Sequence, residues 1–186
     1  MAYLYVEQNV LEKVSIDYDW NIFLEANYDF IGESSITHAY SNNPDLYDTY
    51  GSHPSTLNEH NTIIHQLWWD DETMKTQLGL LLNIDVVSIS STKQPCGHFN
   101  PLHIDGFHKI NRKYPTDGRK KVRANIFLED WKFGHILQYE FKGAWSCPTH
   151  WKQGEGFIWD SSVPHLSGNS GFQSKFTLQV SGFYNG

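Results

Sequence analysis

The chain has 186 residues, enough to bury a core of its own, and a net charge of −7 that argues against a nucleic-acid backbone as partner. Its two cysteines, Cys96 and Cys147, are too few for a disulfide scaffold and lie outside any paired zinc spacing, so a reduced, cytoplasmic setting is expected. No apolar run approaches membrane-spanning length and no leader pattern opens the chain, which predicts one soluble, unprocessed domain over 1–186 with no membrane partner.

In chain order, residues 3–6 read as a short strand, and Val10, Val14 and Ile16 as a second extended piece. Asp17 or Asp19 is placed to cap a short helix over Trp20–Ala26. Residues 32–55, with Gly, Pro, Ser, Asn and Asp among scattered tyrosines, read as irregular chain covering a pocket. Thr56-Leu57-Asn58-Glu59 has the form of a capping box, and Leu57, Ile64, Leu67 and Trp68 then mark one helical face. Asp70-Asp71 is expected to start another helix carrying Met74, Gln77, Leu78 and Leu81. Residues 1–83 are thus a helical and irregular support.

From residue 84 the character changes to short strands with evenly spaced turns. Strands are expected over Ile84–Thr92, Val122–Glu129, His135–Lys142, Gly156–Asp160, Val163–Leu166 and Lys175–Phe183. Turns or loops are expected at 93–97, 106–120, 131–134, 148–153 and 167–174. The basic run from Arg112 to Arg123 falls largely in one of these and reads as a solvated loop. The expected fold class is mainly β with flanking helices, an antiparallel sandwich or barrel.

Two stretches carry chemistry. If Pro101-Leu102-His103-Ile104-Asp105-Gly106 is extended, His103 and Asp105 project to one side and Ile104 to the other. Two imidazoles and one carboxylate on one face of a metal leave the opposite face open, the ligand set of non-haem Fe(II) oxygenases, and His165 is the candidate for the second imidazole. In the last strand Phe176, Leu178 and Val180 alternate with Lys175, Thr177, Gln179 and Ser181. One face is apolar and the other presents a lysine beside a hydroxyl, suited to gripping a carboxylate. Arg123 and Asn125 share a strand face and are candidates for the same pocket.

Residues 84–183 resemble the double-stranded β-helix core (jelly roll, cupin-like) of the Fe(II)- and 2-oxoglutarate-dependent oxygenases, above all the prolyl 4-hydroxylase and aspartyl/asparaginyl hydroxylase branches. The resemblance rests on His103-x-Asp105, on Trp159-Asp160-Ser161-Ser162-Val163-Pro164-His165 with Asn169, and on Lys175 ten residues past His165. It implies that His103, Asp105 and His165 hold Fe(II), and that Lys175 and Thr177 bind the distal carboxylate of 2-oxoglutarate, with Asn125 and Arg123 nearby. It also implies a dioxygenase that uses O2 and converts 2-oxoglutarate to succinate while hydroxylating an amino-acid or peptidyl side chain. Most of that superfamily carries Arg-x-Ser where this chain has Lys175-x-Thr177. The prolyl hydroxylase branch carries lysine there, and the two cations are not equivalent binders.

Two other classes share these residues: a cupin-like metal-binding barrel with chemistry independent of a 2-oxo acid, and a non-catalytic jelly roll whose His–Asp pair is incidental. His98 and His108 read as loop histidines. Trp131, Trp145, Trp151 and Trp159 read as core or rim, and Tyr139 as a candidate to face the site.

Overall fold

Side chains that alternate between two faces of each strand build this fold. The computed structural model describes residues 10–28, 34–35 and 63–186. In chain order the strands are β1 (Leu11–Ser15), β2 (Ser34–Ser35), β3 (Ile63–Trp69), β4 (Ile84–Gln94), β5 (Phe99–His103), β6 (Lys121–Phe127), β7 (His135–Phe141), β8 (Ala144–Ser146), β9 (Glu155–Asp160), β10 (His165–Asn169) and β11 (Lys175–Tyr184). The helices are α1 (Asn21–Leu24), α2 (Glu72–Leu82) and α3 (His108–Lys113).

The larger antiparallel sheet has the order β1-β9-β6-β11-β4-β3-β2, and the smaller β5-β10-β7-β8. From β4 onward the chain passes back and forth between the two sheets, which is the winding of a double-stranded β-helix, or jelly roll. β11 lies in the middle of the larger sheet, paired with β4 from Lys175 to Tyr184 and with β6 from Thr177 to Phe183.

The outer face of the larger sheet is the main core. Val122, Ala124 and Ile126 of β6, Ile158 of β9 and Leu178 and Val180 of β11 are buried there against Phe23 of α1 and Met74, Leu78 and Leu82 of α2. Each of these side chains larger than the Ala124 methyl contributes about 1.5–3 kcal/mol by leaving water. The Asp71 carboxylate accepts from Met74 N at 2.9 Å to cap α2, and Asn83 ends it in the left-handed conformation. The inner face of the same strands is different: Gln179, Thr177 and Lys175 of β11 lie opposite Ser90, Thr92 and Gln94 of β4.

Several expectations are corrected. Ile64, Leu67 and Trp68 belong to strand β3 rather than to a helix, because Ile-Ile-His-Gln-Leu-Trp-Trp is rich in β-branched and aromatic residues and pairs with β4 from His65 to Trp69. The capping box at 56–59, the strand at 3–6 and nearly all of the cover at 32–55 lie outside the described residues. The loop expected at 106–120 contains α3, whose buried Ile110 packs with Phe107 and Phe183. Residues 167–169 extend β10 instead of turning, and β8 was not anticipated. Leu81 is half exposed, and Leu82 takes the buried position.

The short N-terminal helix starts where Asp19 Oδ1 accepts from Asn21 N at 3.2 Å. Cys96 and Cys147 are both exposed and unpaired. No helix among the described residues is long and apolar enough to cross a membrane.

At one end of the jelly roll, the β6–β7 and β10–β11 turns touch. Gly134 has φ of 86°, and a Cβ there would lie 2.1 Å from Gly171 N, so only glycine fits. Asn169 ties the same corner: its amide donates to the Gln94 and Gln173 carbonyls at 3.0 and 2.8 Å. Asn169 therefore braces the turn that delivers β11.

Candidate metal centre and adjoining cavity

His103 and His165 are direct cross-strand partners on β5 and β10, so their imidazoles emerge side by side, with ring centroids 4.2 Å apart. Asp105 follows β5 by two residues and keeps the parity of His103. Ligand atoms of the three side chains all lie within 4.8 Å of one another, and all three residues are buried.

The ring tautomers follow from what the other nitrogens meet. His103 Nδ1 lies 2.8 Å from the Pro101 carbonyl oxygen, and His165 Nδ1 lies 2.9 Å from that of Val163. A carbonyl only accepts, so each Nδ1 carries the hydrogen and each Nε2 bears a lone pair that can face a metal; that of His103 lies 3.4 Å from Asn100 Nδ2, a long contact that a metal would replace. Burial, reinforced by the neighbouring His165, pushes His103 down to about 3, and burial likewise lowers His165. Both rings are neutral at physiological pH. Burial alone would raise Asp105, but the Arg123 guanidinium and the two imidazoles outweigh it and hold the carboxyl at about 2.

Asp105 is gripped from the larger sheet. Arg123 Nη1 of β6 donates to Oδ1, and Trp159 Nε1 of β9 donates to Oδ2 at 2.9 Å. The Trp159 ring also packs on His165 at 4.5 Å between centroids. Two neutral imidazoles and one ionised carboxylate, oriented by outer partners, fit a six-coordinate divalent metal such as Fe(II) bound at one face. Arg123→Met is therefore expected to weaken Mn(II) or Fe(II) binding by about 10- to 100-fold, read by Mn(II) electron paramagnetic resonance titration. Undiminished affinity would mean that Asp105 is held without the guanidinium.

Beside the histidines lies a cavity bounded by both sheets, lined among others by His165, Asn100, Asn125, Lys175, Thr177 and Gln179. It offers about 50 Å³ to the centres of water molecules, room for roughly three to five waters. Lys175 is 3% exposed and donates to the Ile136 carbonyl. No carboxylate partner accompanies it among the described residues, and burial lowers it from the ordinary lysine value to about 7, with Cys147 acting in the opposite sense. Thr177 and Thr92 hydroxyls share a 2.6 Å hydrogen bond. Asn125 Nδ2 and Asn100 Oδ1 are buried in the cavity region without a hydrogen-bond partner among the described residues, a donor and an acceptor left for a polar guest.

The structure thus brings Lys175, Thr177 and Asn125 together in one cavity with His165, while Arg123 is placed against Asp105 and Ser181 rather than along that cavity. Trp159, read from sequence as core or rim, is fully buried in the core and also donates to Asp105. Gln94 and Asn100, not singled out in the sequence, also line the cavity. Tyr139 pairs with His165 across β7 and β10 and packs on Phe157 and Trp159. His98 accepts from Ile63 N at 3.0 Å, away from the cluster, and His108 is an exposed residue of α3.

No protein-family model matches the chain, and no curated protein matches it in sequence. Among solved structures it is similar to a prolyl-4-hydroxylase of Pseudomonas putida, at 15% identity and a TM-score of 0.50 over 93% of this chain and 92% of that one. It is also similar to the viral collagen prolyl hydroxylase of Paramecium Bursaria Chlorella virus-1, solved as its 2OG complex. There the identity is 14% and the TM-score 0.52, over 92% of this chain and 94% of that one. The likeness is one of fold, and it spans nearly the whole of each chain.

Proposed function

We propose that this chain is an Fe(II)- and 2-oxoglutarate-dependent oxygenase, a hydroxylase of an amino-acid or peptidyl side chain. The observation that carries the reading is the placement of a buried lysine, without a carboxylate partner among the described residues, in the same polar cavity as one histidine of a His–Asp–His cluster. A 2-oxo dicarboxylate has the matching shape: a chelating end for the metal, and a distal carboxylate for a cation about one small molecule away. Two solved structures that match over more than nine-tenths of this chain are prolyl hydroxylases, and one was solved as its 2OG complex.

Iron held by His103, Asp105 and His165 would supply oxidation by O2 coupled to decarboxylation of 2-oxoglutarate to succinate. The chain's own residues bind and orient. Lys175 Nζ would leave the Ile136 carbonyl, or share its hydrogens with it, to meet the distal carboxylate, with the Thr177 hydroxyl donating beside it. Asn125 Nδ2 offers its unused hydrogens to the same guest. The aromatic cluster of Phe127, Trp151, Phe157 and Trp159 keeps water from one wall. The primary substrate would be a small molecule or a peptide, met by the face of the metal that the three ligands leave open.

The direct test is anaerobic titration of the protein with Fe(II) and 2-oxoglutarate. A weak visible charge-transfer band that saturates with 2-oxoglutarate is expected. A protein that binds Fe(II) but gives no such band at saturation would instead be a metal-binding cupin-like barrel with other chemistry.

A further inference from the structure

The basic run beginning at Arg112 was expected to be a solvated loop, and its members divide in the structure. Arg119 is engaged by Asp117 and Asp85, and Lys121 donates to Asn111 Oδ1 at 2.6 Å. Arg112 and Lys113 have no carboxylate partner among the described residues. Together with Lys109 they lie on α3 and line a cleft of about 440 Å³ whose other walls are the end of β3, the start of α2 and β4.

The cleft has four cations, Lys75, Lys109, Arg112 and Lys113, and one carboxylate, Asp70, which is already bonded to Lys75 at 2.7 Å. Lys109 Nζ sits 3.0 Å from the centre of the half-exposed Trp68 ring. The indole face thus pins one cation at the cleft wall instead of leaving it free in solvent. Burial there lowers Lys109 below the ordinary lysine range, partly offset by Asp70 and deepened by Arg112, so a second anion at the cleft would be welcome. All this stands on a chain whose net charge is −7.

We infer that this cleft docks an acidic peptide segment, its carboxylates pairing with Lys109, Arg112 and Lys113. A peptide suits the charge pattern better than a nucleic acid. Asp70 and Glu72 stand exposed beside the cations and would repel a continuous phosphate backbone, whereas spaced carboxylates can avoid them. Trp68 also has one face taken by Lys109 and is poorly free for base stacking. Binding here needs neither metal nor 2-oxo acid, so it stands or fails separately from the oxygenase reading.

The test is fluorescence anisotropy of a fluorescein-labelled (Glu-Gly)5 peptide with the full chain. Saturable binding is expected, weakening several-fold between about 50 and about 200 mM salt. The double variant Lys109→Glu/Arg112→Glu, which reverses two surface charges of α3, should bind at least about fivefold more weakly while keeping the circular dichroism spectrum of the wild type. Three results would overturn the inference: no saturable binding, equal binding by the double variant, or full displacement by inorganic phosphate at matched charge. Tighter binding of the oligonucleotide dT10 than of the peptide at the same salt would overturn it in favour of a nucleic-acid surface.

Discussion

Replacing His165 by Ala is expected to abolish metal-dependent turnover of 2-oxoglutarate and to weaken Fe(II) binding beyond the roughly 10- to 100-fold that loss of an outer partner causes. The ring is one of the three proposed ligands, its tautomer is fixed by the Val163 carbonyl, and its place is set by strand pairing with His103. His103→Ala should behave in the same way. Asp105→Ala should also be inactive, but it is a less clean test. It leaves the Arg123 guanidinium, only 20% exposed in its side chain, facing a site with no counter-charge. Loss of fold and loss of metal would then be mixed. Metal stoichiometry, succinate formation and circular dichroism of the two histidine variants separate these causes. Full activity in any of the three variants would sink the metal-centre assignment.

Lys175→Met is expected to raise the concentration of 2-oxoglutarate needed for the charge-transfer band by about 10²-fold or more, since a buried charge-assisted pair is worth roughly 2–5 kcal/mol. Fe(II) affinity in the absence of 2-oxoglutarate should hardly change. The pH dependence supplies a second signature. Lys175 titrates near 7 in the folded chain and near its ordinary value, well above that, when unfolded. Between those values the unfolded state holds a proton that the folded state has released, so this residue makes stability rise with pH from about 7 upward and adds no slope below.

A carboxylate in the cavity favours the charged ammonium and reverses that release. Binding of 2-oxoglutarate at pH 8 should take up close to one proton, binding at pH 6 almost none, and affinity should fall as pH rises past 7. Calorimetry in buffers of different ionisation enthalpy measures the uptake, and Lys175→Met should remove it. His135, whose pKa burial lowers and which feels Lys175, is the neighbouring group to watch, and its variant serves as the control. Equal proton uptake by wild type and Lys175→Met would assign the titration elsewhere.

Where the sequence was legible, one period dominated. The alternation from Lys175 to Ser181 told which residues share the inner face, because strand pairing cannot change parity without a bulge, and the bulge in β11 comes only between Ser181 and Gly182. The relation between His103 and Asp105 was legible for the same reason. Ile63–Trp69 was misread because Ile64, Leu67 and Trp68 satisfy a helical spacing as well as a strand, and the residue types, not the spacing, decide such short runs. Helix α3 hid because six residues with a single buried side chain, Ile110, leave almost no periodic trace.

Arg123 and Trp159 show a different limit. Parity puts Arg123 on the inner face with Asn125, but it does not say which end of the jelly roll each reaches. An indole N–H aimed at a carboxylate from a strand far along the chain leaves no local pattern at all. Such contacts are products of sheet order, which single-strand periodicity does not encode.

β11 also separates two kinds of evolutionary change. Its even-numbered residues, Phe176, Leu178 and Val180, pack with the core shared by the helices, while its odd-numbered residues, Lys175, Thr177 and Gln179, line the cavity. Exchanges at the odd positions can alter the lining of the cavity without removing a methyl group from the core. A descendant of this chain can therefore drift in chemical taste along a strand that continues to fold as before.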